Sequence, residues 1–279
     1  MDPLLTIVIP TRNEARNIAK CIACFDAARA EGWCEVLVVD NASDDATATL
    51  AETCGVRVIG QGPERSVQRN RGAQEAAGRY VCFLDADMRM PAETLAEIKA
   101  RLLAPDAPQA LWIRETRVGT GWWIKVRNFE RSFYDGTCID ALRVFSKALL
   151  ERTGGYDPDI TGFEDWDLDR RVLALGAPVG ITDHALLHDE GAFSWKRHLK
   201  KKGYYSGFTS VYRDKWRNDA VIRRQFGLGY RFFGVFFEHG KWRRALRHPL
   251  MMASIYLERA IVGFCWLSKR KGPEHLAKQ

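Results

Sequence analysis

The chain has 279 residues, 46% of them hydrophobic and 28% charged, which is typical of a globular protein and not of a disordered or fibrous one. Its 23 Gly and 10 Pro exclude collagen-like and low-complexity proteins, and its seven scattered cysteines do not indicate a disulfide framework. Residues 1–190 carry 22 Lys and Arg against 30 Asp and Glu, whereas residues 191–279 carry 20 against 5. Such a basic tail requires an anionic partner: nucleic acid, anionic lipid or a phosphorylated substrate.

The first third of the chain alternates strand and helix signals. Short apolar, β-branched runs predict strands, and the Ala-rich or amphipathic stretches between them predict helices; the strands are 5–10, 35–40, 56–59 and 80–84, and the helices 17–30, 46–53 and 68–77. This alternation predicts an α/β fold with a mostly parallel central sheet flanked by helices. Thr11, Asp40 and Asp85 come at the carboxyl ends of strands, where open α/β sheets bind their ligands.

The remainder of the chain divides into a mixed middle and a basic end. Short strands are predicted around 111–113 and 139–145, and the sequence becomes basic and aromatic from Phe193 onward. The largely apolar segment 249–267 contains Glu258 and Arg259 near its centre, which disfavours a membrane-spanning helix. It predicts either an interfacial helix between basic flanks or a core-packing helix; the flanking bases are Arg243, Arg244, Arg247 and those at 269–271.

The amino-terminal sequence predicts the cellular compartment. The segment MDPLLTIVIPTRNE has no basic start, and its apolar run is too short for a signal peptide. We therefore expect a cytoplasmic protein.

The pair Asp85-Ala86-Asp87 directly follows the predicted strand 80–84. Two carboxylates at a strand end can both reach one cation, and Mg²⁺ or Mn²⁺ prefers such hard oxygen ligands and often bridges the protein to substrate phosphates. The alternative is a solvated turn. Asp40 ends an earlier strand, where an acid can accept hydrogen bonds from a ribose or base, and its burial would be costly without a partner.

A second acidic cluster, Glu164-Asp165-Trp166-Asp167, stands at the start of a predicted helix. Part of this charge complements the helix dipole. A carboxylate beside Phe163 and Trp166 also has the setting for the raised pKa that a general base requires. His188 lies between a short apolar run and a loop, and by itself it is as compatible with a structural role as with a functional one.

Five segments occur in an order and spacing that resemble the inverting glycosyltransferases of family 2, which have the GT-A fold. They are PTRNE at 10–14, VVDNASDD at 38–45, ERSVQRNRG at 64–72, FLDADM at 83–88 and GFEDWDLDRR at 162–171. The resemblance covers about residues 4–190. It implies a catalytic domain over 1–190 that binds nucleotide sugar and acceptor, followed by a basic, aromatic helical extension over 191–279 at a membrane surface.

The resemblance also implies roles for individual residues. The donor is a nucleotide-diphospho-sugar carrying UDP, GDP or dTDP, and its pocket is lined by Pro10, Thr11, Glu14, Asp40, Asp85 and Asp87, with Arg65 or Arg69 on the nucleotide.

For catalysis, the resemblance makes Asp87 the direct ligand of Mn²⁺ or Mg²⁺, with His188 near the metal and the diphosphate. Asp165, the second acid of the Glu164-Asp165 pair, matches the general base, and Glu164 beside it is the other candidate catalytic residue. The acceptor is a glycan or a lipid-linked saccharide used in polysaccharide biosynthesis.

Three other functions compete with this interpretation. A nucleotidyltransferase usually needs a Gly-rich, basic loop after the first strand, and PTRNEARN has none. A scaffold protein with a catalytically inactive site is disfavoured because the acidic pairs Asp85/Asp87 and Glu164/Asp165 are intact. A nucleic-acid-binding protein is disfavoured because the basic run is joined to an apolar amphipathic helix. We therefore expect no nucleic-acid partner and a peripheral position on the inner face of the cell membrane, held by anionic lipid.

Overall fold

The computed structural model describes residues 2–206 and 208–269, without the side chains of 205, 206 and 266–269. The chain forms two compact units. The first comprises Met1–Val118 and Asp135–Glu190, and the second comprises Gly119–Tyr134 and Gly191–Gln279. The two units differ from the division at residue 190 that the sequence predicts, because Gly119–Tyr134 belongs to the second unit.

Within the described residues, eight strands form one sheet in the order β3-β2-β1-β4-β7-β6-β8-β5. Their bounds are β1 Leu5–Thr11, β2 Cys34–Asp40, β3 Arg57–Gly60, β4 Tyr80–Phe83, β5 Met88–Arg89, β6 Ala110–Thr120, β7 Leu142–Ser146 and β8 Val179–Ala192. Strands β3, β2, β1 and β4 are parallel neighbours, whereas β7 pairs antiparallel with β4 and with β6, and β5 pairs antiparallel with β8. The parallel half of the sheet is the part that the sequence predicts strand by strand.

The α-helices are α1 Ile18–Ala23, α2 Asp26–Ala30, α3 Thr47–Thr53, α4 Arg65–Glu75, α5 Ala92–Leu103, α6 Trp122–Arg131, α7 Lys147–Thr153, α8 Glu164–Ala174, α9 Trp195–Ser206, α10 Thr209–Lys215, α11 Ala220–Phe226, α12 Val235–Phe237, α13 Trp242–Arg247 and α14 Pro249–Lys269. A π-helical turn spans Tyr230–Gly234 and a 3₁₀ turn spans Glu238–Gly240. The single helix predicted over 17–30 is wrong: α1 and α2 are separate because Phe25, with φ −109° and ψ 0°, leaves the helical region between them.

Both faces of the parallel half of the sheet are covered by apolar side chains. Along β1, Ile7 and Ile9 belong to one buried cluster and Val8 belongs to the other. This alternation follows from the pleat, which points successive side chains to opposite faces. Because both faces are buried, the strand reads as a continuous apolar run, and the α/β fold predicted from such runs is confirmed.

Helix α4 lies unusually close to the sheet. A Cβ atom at Gly72 would stand 2.2 Å from Cγ1 of Val8 in β1, so only glycine permits this approach. The close packing brings the first turns of α4 to the carboxyl ends of β1 and β2, where candidate site residues stand.

The regular secondary structure described in the second unit is helical apart from the ends of β6 and β8. Among the described residues, none of the helices combines the length and the apolar character that a membrane crossing would need. Helix α14 is the longest helix of this unit, with 21 residues.

Candidate functional site

The carboxyl ends of β1 and β2 form the first part of the site. Thr11 and Asp40 are directly opposite in the parallel ladder. Thr11 Oγ1 donates to Asp40 Oδ1 at 2.9 Å, and Ser43 donates from its hydroxyl to Oδ1 at 2.6 Å and from its backbone N–H to Oδ2 at 2.8 Å. These bonds satisfy the buried carboxylate, as its position required.

Helix α4 is fastened to the same edge by Gln68. Its Nε2 donates to the carbonyl of Thr11 at 3.0 Å and to that of Val39 at 2.7 Å, and the side chain is buried. Both carbonyls belong to strand ends, so one amide fixes the start of α4 against two strands at once. The next residue, Arg69, is thereby directed into the site.

Arg69 joins the two acidic motifs. Its Nη1 donates to Asp165 Oδ1 at 2.7 Å and to Glu164 Oε1 at 3.2 Å, and its Nη2 lies 3.4 Å from Asp85 Oδ1. The guanidinium is 3% exposed and lies 5.0 Å from the ring centre of Tyr156. A buried cation thus holds the acid of the strand end against the acids of α8, although 80 residues separate them in sequence.

The carboxylates around Arg69 differ in access, and the pKa values of two of them are shifted in opposite directions. Burial and the charge of Asp165 raise the pKa of Glu164 above its ordinary value. Burial alone would also raise the pKa of Asp85, but the nearby guanidinium groups of Arg65 and Arg69 outweigh it and hold that pKa well below its usual range. Asp165 is the accessible acid of the α8 pair, because its side chain is 33% exposed and that of Glu164 is 7% exposed.

Antiparallel pairing of β5 with β8 brings a histidine to the second aspartate. Met88 is opposite His188, and the backbone N–H of Asp189 donates to the carbonyl of Asp87 at 2.9 Å. His188 Nε2 consequently lies 3.2 Å from Asp87 Oδ2, and its Nδ1 lies 3.1 Å from Glu115 Oε1. Burial lowers the pKa of His188, but the two carboxylates outweigh it and raise that pKa to about 9.

Glu115 continues this chain of contacts away from Asp87. Its carboxylate lies 3.3 Å from Arg117 and 3.1 Å from Arg143, and only 7% of its side chain is exposed. Glu115 therefore orients His188 through one ring nitrogen and leaves the other directed at Asp87. This is the arrangement of a carboxylate–histidine pair that supports a metal ligand.

The residues fit a divalent cation that shares its coordination with a substrate. Within residues 2–206 and 208–269, no group of three or more His, Cys, Asp and Glu side chains is placed to hold a metal on its own. Mg²⁺ and Mn²⁺ sites for phosphate substrates commonly use only one or two protein ligands and complete the shell with phosphate oxygens and water. Asp87 and His188, oriented by Glu115, supply such a partial set.

Glu14 lies near both aspartates of the strand-end pair. Its Oε2 accepts a hydrogen bond from Asn17 at 2.8 Å. Burial raises the pKa of Glu14, and the hydrogen bond from Asn17 lowers it. The negative charges of Asp87 and Asp85 also raise it, so the net shift is upward. The predicted pocket residue therefore belongs to the same electrostatic environment as the acidic pair.

The loops that carry these groups adopt left-handed backbone conformations. In the part of the chain that the structure describes, Asn13, Ala42 and Phe163 have φ values of 57°, 47° and 69°. They precede or follow Glu14, Asp40 and Glu164. Such conformations are costly for Ala and Phe, and they tend to collect at functional sites.

The predicted site residues converge at this edge with two qualifications. Arg69 is buried among carboxylates, whereas the side chain of Arg65 is 48% exposed and lies 3.9 Å from Glu164, so Arg65 is the more exposed of the two arginines. Pro10 is a buried residue of β1 paired with Val39. The sequence prediction missed Ser43, Gln68, Glu115, Arg143 and Tyr156. Ser43 and Gln68 lie within segments already singled out but carry no charge that would draw attention to them, and the other three lie outside those segments.

Comparison with known proteins identifies the family. The family model described as Glycosyl transferase family 2 matches residues 6–154, more than half of the chain. The chain therefore belongs to glycosyl transferase family 2.

Two curated relatives illustrate the range of similarity. Glycosyltransferase AglE of Haloferax volcanii is 32% identical over 93 residues, which is 30% of this chain and 31% of that protein. The chain thus aligns with about a third of that relative's length. A PGL/p-HBAD biosynthesis glycosyltransferase of Mycobacterium bovis is 24% identical over 200 residues, covering 68% of this chain and 78% of the relative.

Solved structures share the fold at low sequence identity. The mannosyltransferase PcManGT of Pyrobaculum calidifontis, in complex with GDP-Man and Mn²⁺, has a TM-score of 0.61 at 20% identity and covers 95% of this chain and 81% of its own. S. aureus TarS 1–349 in complex with UDP-GlcNAc has a TM-score of 0.58 at 17% identity and covers 89% and 78%. The fold is accordingly that of the GT-A glycosyltransferases.

Proposed function

We propose that the protein transfers a sugar from a nucleotide-diphospho-sugar to a hydroxyl acceptor with inversion at the anomeric carbon. The observation that carries the proposal is the buried guanidinium of Arg69, which holds Asp165 at 2.7 Å and Asp85 at 3.4 Å. A candidate general base and a candidate donor-binding acid are thereby held on a single rigid group. Family membership supports the reaction class, and this geometry supports the assignment of roles.

The donor lies along the carboxyl ends of β1, β2 and β4 in this proposal. Asp40, already oriented by Thr11 and Ser43, accepts hydrogen bonds from the base or ribose, and Asp85 accepts them from the ribose. Arg65 contacts the nucleotide phosphates, because its side chain is half exposed at the start of α4. Pro10 and Glu14 line the same pocket.

The acceptor is activated by Asp165. Its carboxylate takes the proton of the acceptor hydroxyl, and the acceptor oxygen then attacks the anomeric carbon on the side opposite the diphosphate. The bond from the anomeric carbon to the diphosphate breaks, and the nucleoside diphosphate departs with the bonding electrons. Glu164 is buried and supports Asp165 through Arg69, so we place proton acceptance on Asp165.

Asp87 and His188 hold Mn²⁺ or Mg²⁺ in this proposal, since their atoms lie 3.2 Å apart and Glu115 orients the histidine. When bound, the metal neutralises the negative charge that develops on the diphosphate leaving group. Two structures that share this fold contain Mn²⁺: the mannosyltransferase PcManGT with GDP-Man, and glucosyl-3-phosphoglycerate synthase of Mycobacterium tuberculosis with uridine diphosphate. Both are consistent with a divalent metal here.

The nucleotide is UDP, GDP or dTDP, and the acceptor is a lipid-linked saccharide or another glycan. The mycobacterial relative is named for PGL/p-HBAD biosynthesis. A lipid-linked acceptor would place the enzyme at the inner face of the cell membrane as a peripheral protein.

A thermal-shift screen of UDP-, GDP- and dTDP-linked sugars, with and without Mn²⁺, tests the donor site. At a donor concentration about 100 times the dissociation constant, binding adds about 2.7 kcal/mol and raises the melting temperature by several degrees. We expect one nucleotide to do so with Mn²⁺, and Asp87→Ala to abolish the metal-dependent part. A screen in which no donor shifts the wild type would refute the transferase proposal in favour of a retired site.

Asp165→Asn tests the assignment of the base. The variant keeps the shape and a hydrogen-bonding group toward Arg69 but cannot accept the proton. We expect transfer to fall by at least about 10²-fold while the donor-induced thermal shift is retained. Equal losses of donor affinity and turnover would show that Asp165 binds the donor and is not the base.

A further inference from the structure

The two charges at the centre of α14 are directed into the second unit. Glu258 is buried, and its Oε1 lies 2.8 Å from Nε2 of His198 in α9. Arg259 lies 2.6 Å from the carboxylate of Glu130 in α6 and donates to the hydroxyl of Tyr134 at 2.8 Å. These ion pairs fix the rotation of α14 about its axis. The opposite side of the helix therefore has no charged side chain in its central turns.

That opposite side of α14 is an exposed apolar stripe. Its members recur every three or four residues, which places them on one face of the helix, and they are Leu250, Ala253, Leu257, Ala260 and Phe264. Leu250 and Phe264 are each 74% exposed and Leu257 is 53% exposed. Single exposed apolar residues are ordinary, but a continuous row over four turns marks an interaction surface.

Helix α13, which precedes α14, exposes both apolar and basic side chains. Trp242 and Leu246 are exposed one turn apart, and Leu246 is 71% exposed. Arg243 and Arg247 are exposed beside them. We call the exposed sides of α13 and α14 together the α13–α14 face.

The exposed charge of the second unit is almost entirely positive. Among the described residues 191–265, the only exposed acid is Asp214. The exposed bases are Lys196, Arg197, Lys200, Lys201, Lys202, Arg213, Lys215, Arg217, Arg223, Arg224, Arg243, Arg244 and Arg247. The basic residues that the sequence places at 270 and 271 lie outside the described residues.

We propose that the α13–α14 face docks on an anionic lipid bilayer, with α14 lying parallel to the membrane surface. The apolar stripe enters the boundary between headgroups and acyl chains, and Arg243 and Arg247 contact anionic headgroups. Charge selects this occupant. A second copy would bring two basic surfaces together, and a nucleic acid would leave the apolar stripe in water. This proposal deepens the peripheral membrane position given under the proposed function, because it names the surface that docks. It does not depend on transferase activity.

Vesicle co-sedimentation of the full-length protein tests the proposal. We expect binding to phosphatidylcholine vesicles containing about one-third phosphatidylglycerol and much weaker binding to pure phosphatidylcholine, with release at high salt. The variant Leu250→Ser/Leu257→Ser/Phe264→Ser is expected to weaken partitioning at least about 30-fold, because three apolar side chains no longer enter the bilayer. Arg243→Gln and Arg247→Gln are each expected to weaken it about fivefold.

The matched control is Leu103→Ser/Leu175→Ser, which removes two exposed leucines from the first unit, 61% and 43% exposed. It should bind vesicles as the wild type does. Circular dichroism, together with the donor-induced thermal shift where the wild type shows one, verifies that each variant is folded. These readouts separate a failure of docking from a failure of the transferase proposal.

Two results would overturn the proposal. One is vesicle binding that is indifferent to lipid charge or unchanged in the triple variant. The other is a lipid-free dimer of the wild type, seen by sedimentation velocity, that the triple variant abolishes; a second copy of the chain would then cover the α13–α14 face.

Discussion

Arg69 shows how one side chain can determine the geometry of a site. It is almost fully buried, and its charge is balanced by Asp85, Glu164 and Asp165. Removing one partner of a buried ion pair leaves the others without compensation, which costs far more than the loss of a surface pair. In the proposed mechanism Arg69 therefore acts as a positioning residue between the proposed donor-binding acid and the proposed base.

Arg69→Gln is expected to lower the free energy of unfolding by about 3–5 kcal/mol and to reduce transfer more than donor affinity. Chemical denaturation and steady-state kinetics measure the two effects. The control is Arg71→Gln on the same helix, whose side chain is 44% exposed and pairs with Glu75 at 2.8 Å. This control should change stability by less than about 1 kcal/mol. Equal stability of the two variants would contradict the proposed role of Arg69.

Glu130 makes the stability of the folded protein depend on pH, and the direction follows from the shift of its pKa. Burial raises its pKa, but Arg259 and Lys202 outweigh that effect and lower the pKa to about 2 from an ordinary 4.5. The folded state therefore binds this proton less readily than the unfolded state. The stabilisation is complete above the ordinary pKa and is lost as pH falls from about 4.5 towards 2.

Glu130→Gln should remove that part of the pH dependence. Between pH 6 and pH 3 we expect the wild type to lose about 2 kcal/mol more stability than the variant. Urea midpoints at the two pH values measure the difference, with Glu93→Gln, an exposed position, as the control. Identical pH profiles for wild type and Glu130→Gln would rule out this contribution.

At the scale of elements, the site depends on how closely α4 approaches the sheet. Gly72 permits this approach, and Gln68 fastens the helix to the strand ends through two carbonyls. Strand β5, with only two residues, has a comparable effect because its pairing with β8 places His188 beside Asp87. The packing of α4 on the sheet and the pairing of β5 with β8 both join segments that are distant in the chain.

Gly72→Ala is expected to destabilise the protein by about 1–3 kcal/mol, because the new methyl group would overlap Val8 in a packed core. Displacement of α4 should also weaken donor binding, since Arg65 and Arg69 move with it. Thermal unfolding with and without donor measures both effects. Gly60→Ala at the end of β3 is the control, since no atom lies within 4 Å of its added Cβ. A Gly72→Ala variant with unchanged stability and donor affinity would contradict this account.

For the whole molecule, the uneven charge separates two proposed tasks. The acidic motifs belong to residues 1–190, where 30 acids outnumber 22 bases, and the excess of bases belongs to residues 191–279. Donor recognition and membrane docking are accordingly assigned to different parts of the chain.

Hydrogen exchange measured by mass spectrometry should show two separate footprints. A donor with Mn²⁺ should slow exchange around residues 11–14, 40–43 and 85–88, since their amides lie at the occupied strand ends. Anionic vesicles should slow exchange within 242–265. Protection of the strand-end segments by vesicles alone, or of 242–265 by donor alone, would contradict this division.

The local pattern of the sequence was sufficient for the α/β fold and for the placement of three strand-end residues, whereas most other candidate residues were assigned through the resemblance to a family. Short continuous apolar runs, interrupted by turn residues, identify β1, β2 and β4, and parallel strands present their carboxyl ends at one edge. For that reason Thr11, Asp40 and Asp85 could be expected together. The break between α1 and α2 was not predictable, because it depends on the backbone of a single residue, Phe25.

The sequence by itself determined the α/β class, the order of the acidic motifs and the basic character of the last ninety residues, since these follow from composition and from the spacing of neighbouring residues. Only the tertiary structure decided that Arg69 is buried between acids, that Glu115 orients His188, and that Glu258 is directed inward from α14. These features depend on contacts between segments far apart in the chain, whose packing no local periodicity encodes.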